Sequence, residues 1–416
     1  MRVSILGLIM AGGRGERLFP LTRDRAKPAV PFGGKYRIID FVLSNFINSG
    51  IYSVYVLTQF KSQSLAQHIT RAYHFGKLLK GHFINTVPAQ MQTGTDWYRG
   101  TADCVYQNLN LVREAGPDLV AVFGADHIYR MDIRQMVAHH LSRRAEVTVA
   151  TLPIPRSEAR PFGVVDVDRE WRVTGFLEKP ADPPPIPGEP ESSLISMGNY
   201  LFDTGMLVEL METMVCQGNL FDFGKDIFPR IFDQRRVFAY NFNNNDIPGS
   251  LGGEVNSYWR DVGSIDTYYA TNMELKMVKP PLNLYNHEWP IITDEVEGPP
   301  VKFVFNDEGR RGYAADSLIS NGCIISGGRV MDSLLGRRCF VHSYADVRES
   351  ILMDGVDIGR HCRIRRAIID KNVVIPPGTV IGYDPEGDRR NYFVSPGGIV
   401  VIPKMVTTQD VGSLDI

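Results

Sequence analysis

Beyond residue 300 the sequence repeats itself on a short period, and few folds can accept such a pattern. Small triplets rich in branched apolar residues recur at spacings of five or six, separated by Gly, Ser, Asp and Asn. They include Cys323-Ile324-Ile325, Ser333-Leu334-Leu335, Cys339-Phe340-Val341, Ser350-Ile351-Leu352, Val356-Asp357-Ile358, Ala367-Ile368-Ile369 and Val373-Val374-Ile375. A β-sandwich needs longer strands at longer spacings. A hexapeptide β-helix fits, because each short rung turns one apolar side chain inward and stacks on the next. Pro376-Pro377-Gly378-Thr379-Val380-Ile381-Gly382 reads as a late rung of the same solenoid. The β-helix is therefore expected over 311–404. A linker at 286–310 precedes it, overlapping a proline-punctuated stretch at 279–300, and a polar tail at 405–416 follows.

The preceding residues, 1–285, have a different texture. With 416 residues, 44% of them hydrophobic, the chain can bury a large core in more than one domain. Short apolar runs at 5–9, 53–57, 119–123 and 147–152 read as strands of a mostly parallel sheet. Runs at 38–48, 102–114 and 133–143 carry apolar residues at three-and-four spacing and read as covering helices. This is an α/β, Rossmann-like layered domain, and such sheets bind ligands at the carboxyl ends of their strands. A more irregular half follows, with strands at 164–167, 173–177, 200–202 and 237–242. The proline-rich stretch 181–190 can continue neither a helix nor a central strand and is expected as an exposed loop. Residues 258–277 read as a turn and an amphipathic helix.

Charge narrows the function. A formal net charge of -2, with both signs interspersed, points away from a nucleic-acid binder. No segment is apolar for long enough to span a membrane. Residues 1–10 run into a glycine loop and read as a buried first strand rather than a signal peptide. The five cysteines, Cys104, Cys216, Cys323, Cys339 and Cys362, are odd in number and scattered, as suits buried thiols in a reducing cytoplasm.

The first strand runs into Gly12-Gly13-Arg14-Gly15-Glu16-Arg17. Glycines there let backbone N–H groups ring phosphate oxygens; the same residues also suit a plain tight turn. The spacing is neither that of a Walker loop nor that of a dinucleotide fingerprint. Arg14, Arg17, Arg23, Arg25, Lys27, Lys35 and Arg37 crowd this segment against only Glu16 and Asp24, which concentrates positive charge in a near-neutral protein. Part of that group reads as a solvated face. Arg17 and Lys27 are the candidates for a triphosphate whose pyrophosphate departs, arginine by forking two oxygens and lysine as a compact charge. Asp126, after the strand at 119–123, suits a magnesium ligand or a helix cap. Asp261, on a turn before a helix, is a second such carboxylate. Magnesium takes one or two carboxylates plus substrate phosphates, so two aspartates remote in sequence suffice. His127 reads as structural, since transfer to an ionised phosphate needs no general base.

At these motifs the chain resembles the ADP-glucose pyrophosphorylases, or glucose-1-phosphate adenylyltransferases, over nearly its whole length. The resemblance rests on the run from Leu8 to Leu18 and on Arg25-Ala26-Lys27-Pro28-Ala29-Val30-Pro31-Phe32-Gly33-Gly34-Lys35. Trp97-Tyr98-Arg99-Gly100-Thr101-Ala102-Asp103, Gly124-Ala125-Asp126-His127, Phe176-Leu177-Glu178-Lys179-Pro180, Ser196-Met197-Gly198, Asp222-Phe223-Gly224-Lys225-Asp226 and Tyr258-Trp259-Arg260-Asp261-Val262-Gly263 extend it. It implies a nucleotidyltransferase domain followed by a left-handed parallel β-helix, and transfer of AMP from ATP to glucose 1-phosphate for glycogen or α-glucan synthesis. It implies Mg2+ on Asp126 and Asp261, with Arg17 and Lys27 neutralising the triphosphate. Gly12, Gly13, Arg14, Gly15, Gln90, Tyr98, Gly100 and Thr101 fall on the nucleotide side. Gly163, Glu178, Lys179, Ser196, Asp222 and Trp259 fall on the glucose 1-phosphate side. A homotetramer and small sugar-phosphate or nucleotide effectors are implied too. One position departs: Asp24 stands where some relatives carry a lysine linked to phosphorylated activators. The rival readings are a sister enzyme with another base or sugar, a non-catalytic regulatory subunit, and, last, an acyltransferase or bifunctional hexapeptide enzyme.

Overall fold

A computed structural model describes residues 3–73, 81–92, 96–216, 221–250 and 257–404. The expected polar tail and the side chain of Cys216 lie outside the described residues. The other four cysteines are buried free thiols.

In chain order the first domain contains strands β1 (Ile5–Ala11), β2 (Ser53–Thr58), β3 (Phe83–Pro88), β4 (Leu119–Gly124), β5 (His127–Tyr129), β6 (Val147–Pro155), β7 (Gly163–Val167), β8 (Val173–Glu178), β9 (Ser192–Asp203), β10 (Val237–Asn241) and β11 (Trp259–Asp261). Its main helices are α1 (Ile38–Asn48), α2 (Gln63–Ala72), α3 (Thr101–Tyr106), α4 (Leu109–Ala115), α5 (Ile133–Ser142), α6 (Thr204–Cys216) and α7 (Ile265–Glu274). β1 is central, parallel to β2 on one side and to β4 on the other, and β3 extends the sheet parallel to β2. Leu6, Leu8, Ile9 and Ala11 of β1 are all buried, the near-continuous apolar run expected of a strand covered on both faces.

The sheet is mixed, because β9 runs antiparallel to both β4 and β6, while β10 is parallel to β6. β9 bends midway: its register against β6 shifts between Ser196 and Tyr200, around Gly198 at a φ of +70°. The helix expected at 102–114 is broken into α3 and α4. The Asn108 side-chain amide donates to the Cys104 carbonyl at 2.8 Å and to the Tyr98 hydroxyl at 3.0 Å, competing with the helical ladder where the two helices meet. β3, α2 and α6 carry signals too weak or too short to have been expected.

The second domain is three stacks of short parallel strands. Successive partners Phe340↔Asp357 and Asp357↔Val374 lie one turn apart. Three inward columns fill the solenoid: Ile325, Val341, Ile358 and Ile375; Val330, Val347, Ile364 and Ile381; Leu335, Leu352, Ile369 and Ile402. The first rung strand, Lys302–Val304, pairs with Ile324–Ser326 and so lies inside the segment 286–310 read as linker. Its exposed Lys302 and Phe303 hide it from a pattern of inward triplets. The early part of that segment is docked as well: the Ile292 amide donates to Ser44 at 2.8 Å, and Thr293 donates to buried Asp40 at 2.7 Å. After Val380–Ile381 a helix, Pro385–Asn391, interrupts the rungs before Val400–Ile402 closes the third stack.

That third stack is buried on both faces. Leu334, Ile351, Ile368 and Val401 point away from the solenoid interior and share one apolar cluster with Leu18, Leu21, Val30, Phe41 and Tyr268 of the first domain. The two domains therefore share a continuous core, and the loop between β1 and α1 is packed into it.

Candidate active site

A cavity of about 930 Å3 opens at the carboxyl ends of β1, β2 and β4, where an open α/β sheet collects ligands. β1 ends at Ala11, and Gly12, Gly13, Arg14 and Gly15 form the turn along one wall. Gly15 takes a φ of +66°, and a Cβ there would lie 2.8 Å from Lys27 Cβ, so glycine is required both by conformation and by the approach of Lys27. Gly13 faces open space. Arg14 is solvated beside Glu16 at 3.7 Å.

Asp126 follows β4 and immediately precedes the short strand β5, which pairs antiparallel with β11 so that His127 lies opposite Asp261. This ribbon brings together two carboxylates that are 135 residues apart in sequence. Between them sits Lys27, its Nζ donating to Asp126 Oδ2 at 2.8 Å and to Asp261 Oδ1 at 3.0 Å. Arg17 approaches Asp261 at 3.8 Å from the exposed side. Burial works against the charge on Lys27, yet the two aspartates hold its ammonium above its ordinary value. Burial likewise pushes the Asp126 carboxyl upward, but Lys27, with His127 behind it, holds it well below the usual carboxylate range. Both groups are ionised at neutral pH.

His127 is held below its ordinary value by burial, against the pull of Asp126, so its ring is neutral at pH 7. Its Nδ1 is buried without a partner, and the ring packs against Trp259 at 4.8 Å. One ligand atom from each of Asp126, His127 and Asp261 falls within 4.8 Å of the others. Two carboxylates that already converge on one cation, with open cavity beside them, fit a hard divalent ion whose remaining ligands come from phosphate and water.

The other wall is stapled across the chain. Thr101 donates to Asp222 Oδ2 at 2.9 Å, while Asp222 Oδ1 caps the turn at Gly224 and Lys225. The amides of Ala102 and Asp103 both donate to the Phe221 carbonyl. Gly100 lies against that carbonyl so closely that an added Cβ would be 2.3 Å from its oxygen. Gly100→Ala is expected to force the start of α3 and the segment at Phe221 apart while leaving the core intact. Steady-state kinetics should show a fall in catalytic efficiency on the order of a hundredfold, with a near-native circular dichroism spectrum.

Tyr98, Gly163, Glu178, Ser196 and Trp259 line the same cavity. The Trp259 Nε1 is buried and unpartnered. Two expected residues stand apart. Lys179, at a φ of +50°, donates its amide to the Phe162 carbonyl at 3.0 Å and is largely exposed, its Nζ 3.3 Å from Glu178. Gln90 is exposed beside Gln92, outside the cavity wall. Several lining residues were not foreseen, among them Gln59, Phe162, Phe176 and Tyr200. Gln59 was within reach, since it stands at the carboxyl end of β2, the same topological place as Asp126; the aromatic residues come from irregular strands and carry no such signal. Cys104 also lines the cavity, but burial pushes its thiol far above the ordinary value, so it stays protonated and is no nucleophile.

The chain has close counterparts. Residues 6–277 match the family model described as nucleotidyl transferase, and residues 299–402 match that described as GlmU-like, C-terminal hexapeptide. The glucose-1-phosphate adenylyltransferase of Thermus thermophilus is 55% identical over 411 residues, covering 97% of this chain and 99% of its own length. Its namesake from Deinococcus deserti is 51% identical over 414 residues, covering 98% and 100%. That of an Anaeromyxobacter species is 51% identical over 409 residues, covering 97% and 99%.

Proposed function

This chain belongs to the glucose-1-phosphate adenylyltransferase family, and on that premise we propose that its cavity transfers AMP from ATP to glucose 1-phosphate, giving ADP-glucose and pyrophosphate. The observation that carries the reading is Lys27, a buried ammonium shared by Asp126 and Asp261 beside a glycine loop. An anionic triphosphate entering there meets fixed positive charge and backbone donors, while Asp126 and Asp261 each keep, for a cation, one carboxylate oxygen that Lys27 does not bond.

In this reading Gly12, Gly13, Arg14 and Gly15 receive the phosphates, and Tyr98, Gly100 and Thr101 border the nucleotide. Gly163, Glu178, Ser196, Asp222 and Trp259 receive the sugar phosphate, and Lys179 reaches it by a rotamer change of its exposed side chain. A phosphate oxygen of glucose 1-phosphate attacks the α-phosphorus, and the bond to pyrophosphate breaks. The attacking oxygen is already ionised, so neutral His127 moves no proton. Arg17 and Lys27 hold the charge that collects on the departing pyrophosphate. Asp126 and Asp261 would hold Mg2+, which when bound supplies further neutralisation of the triphosphate. Catalysis is then orientation and electrostatics, with no covalent enzyme intermediate. The same premise extends the reading to a cytoplasmic homotetramer that takes small sugar-phosphate or nucleotide effectors. No described helix is long and apolar enough to cross a membrane.

The test is pyrophosphate release from the purified protein with glucose 1-phosphate, Mg2+ and, separately, ATP, dTTP, UTP, GTP or CTP. The expected result is release at least tenfold faster with ATP. Faster release with another nucleotide would reassign the base, and none at all from folded protein would favour a regulatory subunit.

A further inference from the structure

Besides its own short helical turns, the loop that carries Lys27 is held from behind by the β-helix. Two residues before Lys27, Arg25 is buried and its Nη2 donates to both carboxylate oxygens of Asp370, at 2.7 and 2.5 Å. Asp370 follows a rung strand of the third stack, and its own amide donates to the Ile402 carbonyl at 2.9 Å. Elsewhere on this loop, Phe19 packs edge-on against Phe393, and Arg23 donates to the Lys404 carbonyl.

The partner of Lys27 is held in the same way. Asp261 leads into α7, whose Asp266 accepts from Ser395 at 2.5 Å and from the Gly397 amide at 3.1 Å. Further along α7, Tyr269 donates to the Glu349 carbonyl at 2.7 Å. Both sides of the Lys27–Asp261 contact are thus fastened to the second domain within a few residues of the catalytic groups.

We propose that the β-helix is a working part of the catalytic centre, with Asp370 a positioning residue that sets Lys27 through Arg25. The proposal rests on the reading of Lys27 given above. A buried ion pair in which one guanidinium nitrogen bonds both carboxylate oxygens leaves Arg25 little room to move, and the chain from Arg25 to Lys27 is too short to absorb an error. An ångström of displacement at Lys27 costs rate rather than substrate affinity when Lys27 acts in the transition state.

The experiment compares Lys27→Met, Arg25→Met, Asp370→Asn and the double variant Arg25→Met/Asp370→Leu. Arg25→Met leaves a buried carboxylate alone, and its melting temperature should fall on the order of 5–10 °C. The double variant removes both charges, and its melting temperature should return to within a few degrees of the parent. Its kcat should nevertheless stay about ten- to a hundredfold low, with both KM values within about threefold of the parent. Asp370→Asn, closest in shape, should show the same kcat-selective loss and decides the matter if the double variant does not fold. Parent-like kcat in a stable double variant, or in Asp370→Asn, would make the pair merely structural and overturn the proposal. Full activity in Lys27→Met would instead overturn the reading of Lys27, and the proposal with it.

Discussion

Asp126→Asn is expected to lower kcat for pyrophosphate release on the order of a hundred- to a thousandfold, roughly 3 to 4 kcal/mol, in a protein that still folds. The substitution changes charge and almost nothing else. More than a third of the Asp126 side chain is exposed, and Lys27 keeps its second partner, Asp261, at 3.0 Å. The scaffold should therefore tolerate the amide: circular dichroism and the melting temperature should remain close to the parent's. What is lost is one of the two anions that converge beside the glycine loop, and with it half of the carboxylate set for a divalent ion. The Mg2+ concentration giving half-maximal rate should rise in parallel. Retention of most activity at ordinary Mg2+ would remove Asp126 from the site.

The largest effect on stability is expected from Ile368→Ala. Ile368 is fully buried, and it belongs to the cluster that joins the third stack of rungs to the first domain rather than to the solenoid's own interior. Removing three carbons from such a position costs their transfer free energy and leaves a cavity, roughly 2–5 kcal/mol in all. Scanning calorimetry should show a melting temperature lower on the order of 5–15 °C. Val374→Ala is the control, because Val374 is 57% exposed on another stack and should change stability by no more than about 0.5 kcal/mol. Equal effects of the two would mean that the third stack is no more deeply packed than the rest. The loop carrying Lys27 contributes Leu18, Leu21 and Val30 to the same cluster, so part of the activity of Ile368→Ala should be lost before unfolding begins.

Much of the solenoid could be read from the sequence because its code is local. Each rung needs one inward apolar residue and a turn residue, and both recur on a fixed period whatever the rest of the chain does. The contact with the other domain could not be read in the same way. Leu334-Leu335, Ile351-Leu352 and Ile368-Ile369 are apolar twice in succession, whereas Arg329-Val330-Met331 and Arg363-Ile364-Arg365 set one buried residue between exposed or half-exposed neighbours. Apolar doublets alone do not mark a strand covered on both faces, because Ile324-Ile325, Phe340-Val341 and Val374-Ile375 of the first stack are doublets too and Val374 is 57% exposed; the other domain is what covers the third stack. The first rung escaped notice because Lys302 and Phe303 are exposed.

In the first domain, the ends of β1 and β4 were legible because strand carboxyl ends, glycines and carboxylates mark themselves in the sequence. By itself the sequence determined most rungs of the solenoid, the strands β1, β2, β4 and β6 of the first domain, and which residue types stand at the ends of the central strands. Local periodicity and backbone chemistry suffice for that. Only the tertiary structure decided that Lys27 lies between Asp126 and Asp261, that β9 turns the sheet mixed, and that Asp370 stands behind Arg25. Those facts depend on pairings between residues tens to hundreds of positions apart, and side-chain type alone does not specify a partner. An aspartate after a strand caps a helix or collects a cation according to what the fold brings beside it; for Asp126 the fold brings a buried lysine.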